Sequence, residues 1–175
     1  MTREELEHAI RAACDVAGDQ EVWVFGSQAI LGEHPDAPAS LRQSAEVDVA
    51  PRNYPQRTDS IDGALGELSL FHATYGFYVH GLSIDAATMP EGWQARTVAV
   101  RGRGASLATG YCLESHDLAA SKLAAFREKD RRFVRTLIVD GLIDPQTLIT
   151  RIEALPADAD SRSRSQEWVL VTAGT

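Results

Sequence analysis

Glu46 and Asp48 alternate along the apolar stretch Ala45-Glu46-Val47-Asp48-Val49, and about twenty residues earlier an apolar strand, Val22-Trp23-Val24-Phe25, ends in Gly26-Ser27. Alternate strand residues project to one face, which puts the two acids side by side with Cα atoms roughly 6.5 Å apart. Two such carboxylates can converge on Mg²⁺, a hard cation that takes oxygen ligands. Paired ions of this kind activate an attacking hydroxyl and neutralise a leaving pyrophosphate. Gly26 permits a sharp turn out of the first strand, and Ser27 can then offer its hydroxyl and backbone N–H to a phosphate. The combination fits a nucleoside triphosphate held with its magnesium. Plainer roles fit the same residues: Ser27 as a helix N-cap, and the acid pair as part of a half-exposed edge strand.

A third acid, Asp85, lies in Leu82-Ser83-Ile84-Asp85-Ala86-Ala87. Read as a strand, this segment gives a third metal ligand and an acceptor for the proton of the attacking hydroxyl, or else a strand-end Asp satisfied by backbone. Farther on, Lys122 is set among Ala119, Ala120, Leu123, Ala124 and Ala125, which bury part of its stem. At about 100° per residue, Lys122, Phe126 and Lys129 share one stripe of a helix with Asp130 beside it. Lys122, with Arg127 and Lys129, supplies cations for a triphosphate, and Asp130 can hold Lys122 or an arginine in place. Arg131 and Arg132 read as a solvated charged surface. The five histidines (His8, His34, His72, His80 and His116) show no paired metal spacing, and neither Cys14 nor Cys112 has a neighbouring histidine to activate it. Serine or cysteine nucleophile chemistry is poorly supported.

The elements that must position these groups form an α+β pattern. Thr2 caps a first helix to about Val16, with Glu5 completing a capping box. Strands follow at Glu21–Phe25 and Glu46–Ala50, with a short helix across Gly26–Gly32 and a loop at His34–Ser40 between them. Asp59–Leu68 suits a helix, Tyr75–Val79 and Leu82–Ala87 a pair of strands turning at Gly81. Further strands fall at Arg96–Val100 and near Ser106–Tyr111, about an Arg101-Gly102-Arg103-Gly104 turn. From Ser115 the pattern is helical, over Asp117–Asp130 and on toward Val139, and again over Pro145–Leu155. Pro156–Gln166 has no apolar period and reads as disordered. The expected organisation is a mixed sheet with flanking helices over residues 1–113, a helical part over 114–156 and a flexible tail over 157–175.

A chain of 175 residues is long enough to bury a proper core. No apolar run approaches the ~20 residues of a membrane span, and the charged N-terminus is unlike a signal peptide. Two cysteines nearly a hundred residues apart form no disulfide framework, which makes a reducing cytoplasm the expected setting. The net charge is −8, unevenly spread: residues 1–95 carry 5 basic and 15 acidic side chains, residues 96–135 carry 9 and 4. Such a basic region can present a local positive surface to polyphosphate or RNA on an otherwise acidic protein, or simply form a solvated helix face.

Val24-Phe25-Gly26-Ser27, then Ser44-Ala45-Glu46-Val47-Asp48-Val49, then Leu118-Ala119-Ala120-Ser121-Lys122-Leu123-Ala124-Ala125-Phe126-Arg127-Glu128-Lys129-Asp130, resemble the DNA polymerase β-like nucleotidyltransferase superfamily. The nearest branch in these motifs is the AbiEii or MenT-like toxins of bacterial toxin–antitoxin pairs. The resemblance runs from about Trp23 to Leu155. It implies a core mixed sheet with a helical C-terminal part, and Mg²⁺-dependent transfer of a nucleotide, commonly a pyrimidine, from an NTP to the 3′ end of tRNA. By position it implies phosphate contact at Ser27, metal binding at Glu46 and Asp48, and a site completed by Lys122 and Asp130, with Asp85 following from strand order. The superfamily usually has Asp where Glu46 stands. Ser44, two residues before Glu46, matches a serine at which such toxins are silenced by modification, and a cognate antitoxin is the implied partner. Two other readings stay open: transfer to a small molecule, as in aminoglycoside-type enzymes, and a non-catalytic relative that binds nucleotide or a partner protein.

Overall fold

In a computed structural model the chain is described over residues 1–102 and 107–174. It is an α+β protein built as two compact units, Met1–Ala86 with Thr97–Leu113, and Ala87–Arg96 with Glu114–Thr175. The segment 87–96, expected within the sheet domain, belongs to the helical unit.

The first unit opens with α1 (Arg3–Ala17), whose start is the expected capping box: Thr2 Oγ1 accepts the Glu5 N–H and the Glu5 carboxylate accepts the Thr2 N–H. Gly18 ends the helix in the left-handed region, with φ 61°. The sheet contains β1 (Glu21–Phe25), β2 (Glu46–Pro51), β3 (Tyr78–Gly81), β4 (Val98–Arg101) and β5 (Thr109–Cys112), in the order β3-β2-β1-β5-β4. The β1–β2 and β4–β5 pairs are antiparallel, and the β1–β5 and β2–β3 pairs are parallel. One face carries the fully buried, branched side chains of Val22, Val24, Val47, Val49, Val79 and Val100, with Gly81 opposite Val49. Helices α1 and α3 (Thr58–Leu65) cover that face. Their approach is close enough that a Cβ on Gly110 would lie 2.6 Å from Ile10, and one on Gly81 would lie 2.4 Å from the Thr58 carbonyl. The alternate residues Trp23, Phe25, Glu46, Asp48, Tyr78, His80 and Tyr111 fall on the opposite face by strand register.

Between β1 and β2 lie a 3₁₀ turn, Ser27–Ala29, and the four-residue α2 (Ile30–Glu33). Helix α4 (Leu70–Tyr75), capped by Ser69, stands where the sequence pattern suggested the approach to a strand, and β3 begins three residues later than expected. The expected strand Leu82–Ala87 is corrected. After Leu82 N–H donates to the Val49 carbonyl, the backbone closes a 3₁₀ turn over Ile84–Ala86, with Ala86 N–H bonded to Ser83 O. Of the Arg101–Gly104 turn, Arg103 and Gly104 lie outside the described residues, as does Ser106 at the expected start of the next strand.

In the second unit, α5 (Ser115–Ala125), α6 (Glu128–Val139), α7 (Pro145–Glu153) and α8 (Ala159–Ala173) pack around Leu118, Leu123, Val134, Leu137, Leu148, Ile152 and Val169. The continuous helix expected across Asp117–Val139 is broken at Phe126, a non-glycine residue at φ 51°, a conformation disfavoured for side-chain-bearing residues. Its N–H donates to the Lys122 carbonyl to close α5. Its ring takes up the guanidinium groups of Arg131 and Arg164 at 5.0 and 4.4 Å, contacts that help offset the strain. The tail expected to be irregular is instead α8. Asp158 caps it through the Ser161 N–H, and the buried Ser165 hydroxyl donates to the Leu123 carbonyl at 3.2 Å. Buried Asp117 receives both Nε and Nη2 of Arg96, at 2.8 and 2.9 Å, with Arg151 Nε at 3.2 Å.

Candidate active site

The site begins with register. Asp48 stands opposite Phe25 on β1 and opposite His80 on β3, while Glu46 pairs with Tyr78. Because paired residues of neighbouring strands share a face, Glu46, Asp48 and His80 are brought together: His80 Nδ1 lies 2.8 Å from Glu46 Oε1 and 3.4 Å from Asp48 Oδ1. One ligand atom from each of the three falls within 4.8 Å of the others. Their side chains are 35%, 21% and 36% exposed, screened enough to be held in place yet accessible to a ligand.

Gly26, one residue past Phe25, has φ 73° and ψ −172°, a region open essentially to glycine alone. Its backbone presses on Asp48 so closely that a Cβ would fall 1.9 Å from Asp48 Oδ2. Ser27 follows, half-buried, at the start of the 3₁₀ turn. Ser44 Oγ accepts the Glu46 N–H at 3.1 Å and so fixes the start of β2. The concentration of negative charge is visible at Tyr78: burial first, then the carboxylates of Glu46, Glu67 and Asp48, push its phenol above the usual range.

Asp85 does not join this group. It is exposed, in the 3₁₀ turn beyond β3, with its N–H on Ser83 Oγ, and the third member among the described residues is His80. Sequence reasoning missed His80 because its partners come from another strand, and a search for paired histidine spacing cannot see cross-strand neighbours. A signal was present: Tyr78-Val79-His80 repeats the polar-apolar-polar alternation of Glu46-Val47-Asp48.

In the helical unit, Asp130 is buried and takes two cations: Arg127 Nε at 2.6 Å and Lys122 Nζ at 3.6 Å. Lys122 is only 12% exposed, with Nζ 4.5 Å from the centre of the Phe133 ring. The Lys122–Asp130 pairing thus forms across the α5–α6 break rather than along one helix. Arg127 and Lys129 are exposed.

Two carboxylates and an imidazole suit a divalent cation. Thiol chemistry has no comparable support: burial pushes Cys112 up to about 12, and burial with the nearby Asp19 carboxylate does the same for Cys14. Among the described residues no helix is long and apolar enough to cross a membrane.

No curated protein and no solved structure matches the chain significantly. A family model does, over residues 4–172, nearly the whole length and including every group above. On that match, and with the strand-borne acid pair beside a Gly-Ser turn, the chain belongs to the family described as nucleotidyltransferase of unknown function (DUF6036).

Proposed function

We propose that the chain transfers a nucleotide, a pyrimidine in the form the toxin resemblance suggests, from an NTP to the 3′ hydroxyl of tRNA, and so blocks translation. The observation that carries the transfer reading is the convergence of Glu46, Asp48 and His80, with Asp48 packed against Gly26, in a member of a nucleotidyltransferase family. The 3′ oxygen forms a bond to the α-phosphorus as the bond from that phosphorus to the pyrophosphate oxygen breaks, and the hydroxyl proton passes to an oxygen of Asp48. Glu46, Asp48 and His80 would hold a divalent cation, which would supply charge neutralisation at the phosphates and a lowered pKa for the attacking hydroxyl; Mg²⁺ is the ion that the resemblance implies. Ser27 contacts phosphate. Lys122, which the resemblance assigns to the site, meets the charge of the polyphosphate together with Arg127 and Lys129, and Asp130 holds Lys122. The choice of tRNA over a small cationic acceptor is supported by the basic balance of residues 96–135, since a polyanion favours such a surface.

The same reading has a cognate antitoxin as partner and Ser44 as the silencing position. A phosphate there would bring up to two negative charges beside Glu46 and disrupt the bond its hydroxyl makes to the Glu46 N–H. Intact mass after co-expression with an adjacent gene product should then show one added phosphate, and an unmodified Ser44 in silenced protein removes this part.

Purified protein incubated with each labelled NTP, Mg²⁺ or Mn²⁺, and total tRNA is the decisive assay. Label should enter tRNA, and Asp48→Ala and Lys122→Ala should each lower the rate by roughly 100-fold or more, the scale on which electrostatic stabilisers act. Tight NTP binding without transfer to any acceptor would instead identify a binding module.

A further inference from the structure

We infer that the metal centre of this protein is a mixed nitrogen–oxygen site, with His80 as a ligand, and that it selects Mn²⁺ and similar transition ions over Mg²⁺. This deepens the nucleotidyl-transfer reading and rests on it for its purpose, although the binding itself is measurable without any turnover.

Three observations carry the inference. The first is direction: His80 Nδ1, the atom nearest both carboxylates, lies 2.8 Å from Glu46 and 3.4 Å from Asp48. That ring nitrogen faces the place the carboxylate oxygens already surround. The second is the backbone frame. His80 is placed beside the two acids by the sheet itself, as the registered partner of Asp48 across the parallel β2–β3 pair. Asp48 is in turn confined by Gly26, where no Cβ fits. The third is composition: among the described residues, the segment that would have furnished a third carboxylate ends in a turn at Asp85, away from the group.

Ligand chemistry then decides the ion. Mg²⁺ demands near-octahedral oxygen coordination and gives up water reluctantly. Imidazole suits transition metals, whose affinities at nitrogen-containing sites rise above those of magnesium. An imidazole as third ligand, where a carboxylate could stand, also leaves the site with one negative charge fewer, which weakens the electrostatic attraction on which Mg²⁺ binding chiefly depends. Glu46, one methylene longer than the usual Asp, can adapt to the larger Mn²⁺ ion.

The test uses the full chain and three measurements: binding of MnCl₂ and MgCl₂ by calorimetry and thermal shift, and pulsed electron paramagnetic resonance of the bound Mn²⁺. Wild type should prefer Mn²⁺ by at least about tenfold, a scale set by changes to metal-site partners, and the bound ion should show the nuclear modulation of a directly coordinated imidazole nitrogen. His80→Asp, which supplies a third carboxylate, should lose that modulation and tighten Mg²⁺ binding, collapsing the preference. His80→Ala should lower Mn²⁺ affinity about tenfold while changing Mg²⁺ affinity less. Circular dichroism establishes that each variant is folded. Absence of the nitrogen signal in wild type, or an unchanged Mn²⁺-to-Mg²⁺ ratio in folded His80→Asp, overturns the inference. Mn²⁺ bound through nitrogen with no transfer to any acceptor would leave this site standing and refute the catalytic reading; transfer supported by Mg²⁺ alone, with no nitrogen coordination, would do the reverse.

Discussion

A single missing methyl group sets the position of Asp48. At Gly26 the backbone takes a φ of 73° with ψ near 180°, and the space a side chain would need is filled by the Asp48 carboxylate. Gly26→Ala therefore faces two costs. The backbone region costs a side-chain-bearing residue on the order of 1–3 kcal/mol, and the carboxylate must move out of the group it shares with Glu46 and His80. The expected result is a melting temperature lower by several degrees and Mn²⁺ affinity lower by about tenfold or more. Gly18→Ala is the matched control. It too sits at positive φ, but nothing lies within 4 Å of its added methyl, so it should lose stability and keep metal binding. Equal metal affinity in the two variants would show that the Gly26 contact does not position the site. The sequence made Gly26, Glu46 and Asp48, which the structure brings together, visible because each is diagnostic by type and by local spacing. It did not reveal the reason for Gly26, since the clash involves a residue on another strand.

Register is the quantity that converts separate elements into a site, and it depends on how the strand ends are tied. Asp19, between α1 and β1, is buried and clamps the exit of β2. Its carboxylate accepts the Asn53 backbone N–H at 2.7 Å, the Asn53 amide at 2.8 Å and the Tyr54 N–H at 3.2 Å, together with the Glu21 N–H at 3.0 Å. Burial alone would raise its pKa, but the Asn53 amide and these backbone donors outweigh burial and hold the carboxyl below its usual value. A group depressed in the folded state contributes stability above its unfolded pKa of about 4, and that contribution disappears as pH falls through the folded value. Asp19→Asn should thus cost roughly 1.5–3 kcal/mol at neutral pH, the range for hydrogen bonds to a charged group. In urea unfolding the gap between variant and wild type should close below about pH 4. A gap that persists undiminished at pH 2–3 would mean that the charge is not what Asp19 contributes. Elements with strong local signals, such as the Thr2 capping box, β1, β2 and the Pro145 helix start, were legible in the sequence. Those set by tertiary contact were not. The break at Phe126 depends on arginines from α6 and α8 reaching its ring, and α8 orders because Ser165 and Val169 pack inside the helical unit, so its apolar periodicity gave no warning.

At the scale of the whole molecule, charge decides which polymers can approach. A net −8 with 15 acidic side chains in residues 1–95 repels RNA at long range, whereas residues 96–135 hold an excess of five positive charges. Part of that excess is already committed: Arg96 to Asp117, Arg127 and Lys122 to Asp130, and Arg132 to Glu128 at 2.8 Å on the surface. Lys129, exposed in the first turn of α6, makes none of these pairs, and its replacement disturbs no such partner. If tRNA is the acceptor, its binding should weaken with salt, with a slope of log K against log salt near 0.7–0.9 for each phosphate neutralised. Lys129→Gln should reduce that slope by about one contact and leave thermal stability within about 0.5 kcal/mol of wild type, as is usual for exposed substitutions. Filter binding of labelled tRNA between low and physiological salt measures both slope and affinity. A slope unchanged by the substitution would remove Lys129 from the RNA surface, and binding indifferent to salt would argue against a polyanionic acceptor altogether. The second result would redirect the search to small acceptors while leaving the Glu46–Asp48–His80 centre intact, because acceptor and metal are recognised by different charges on the chain.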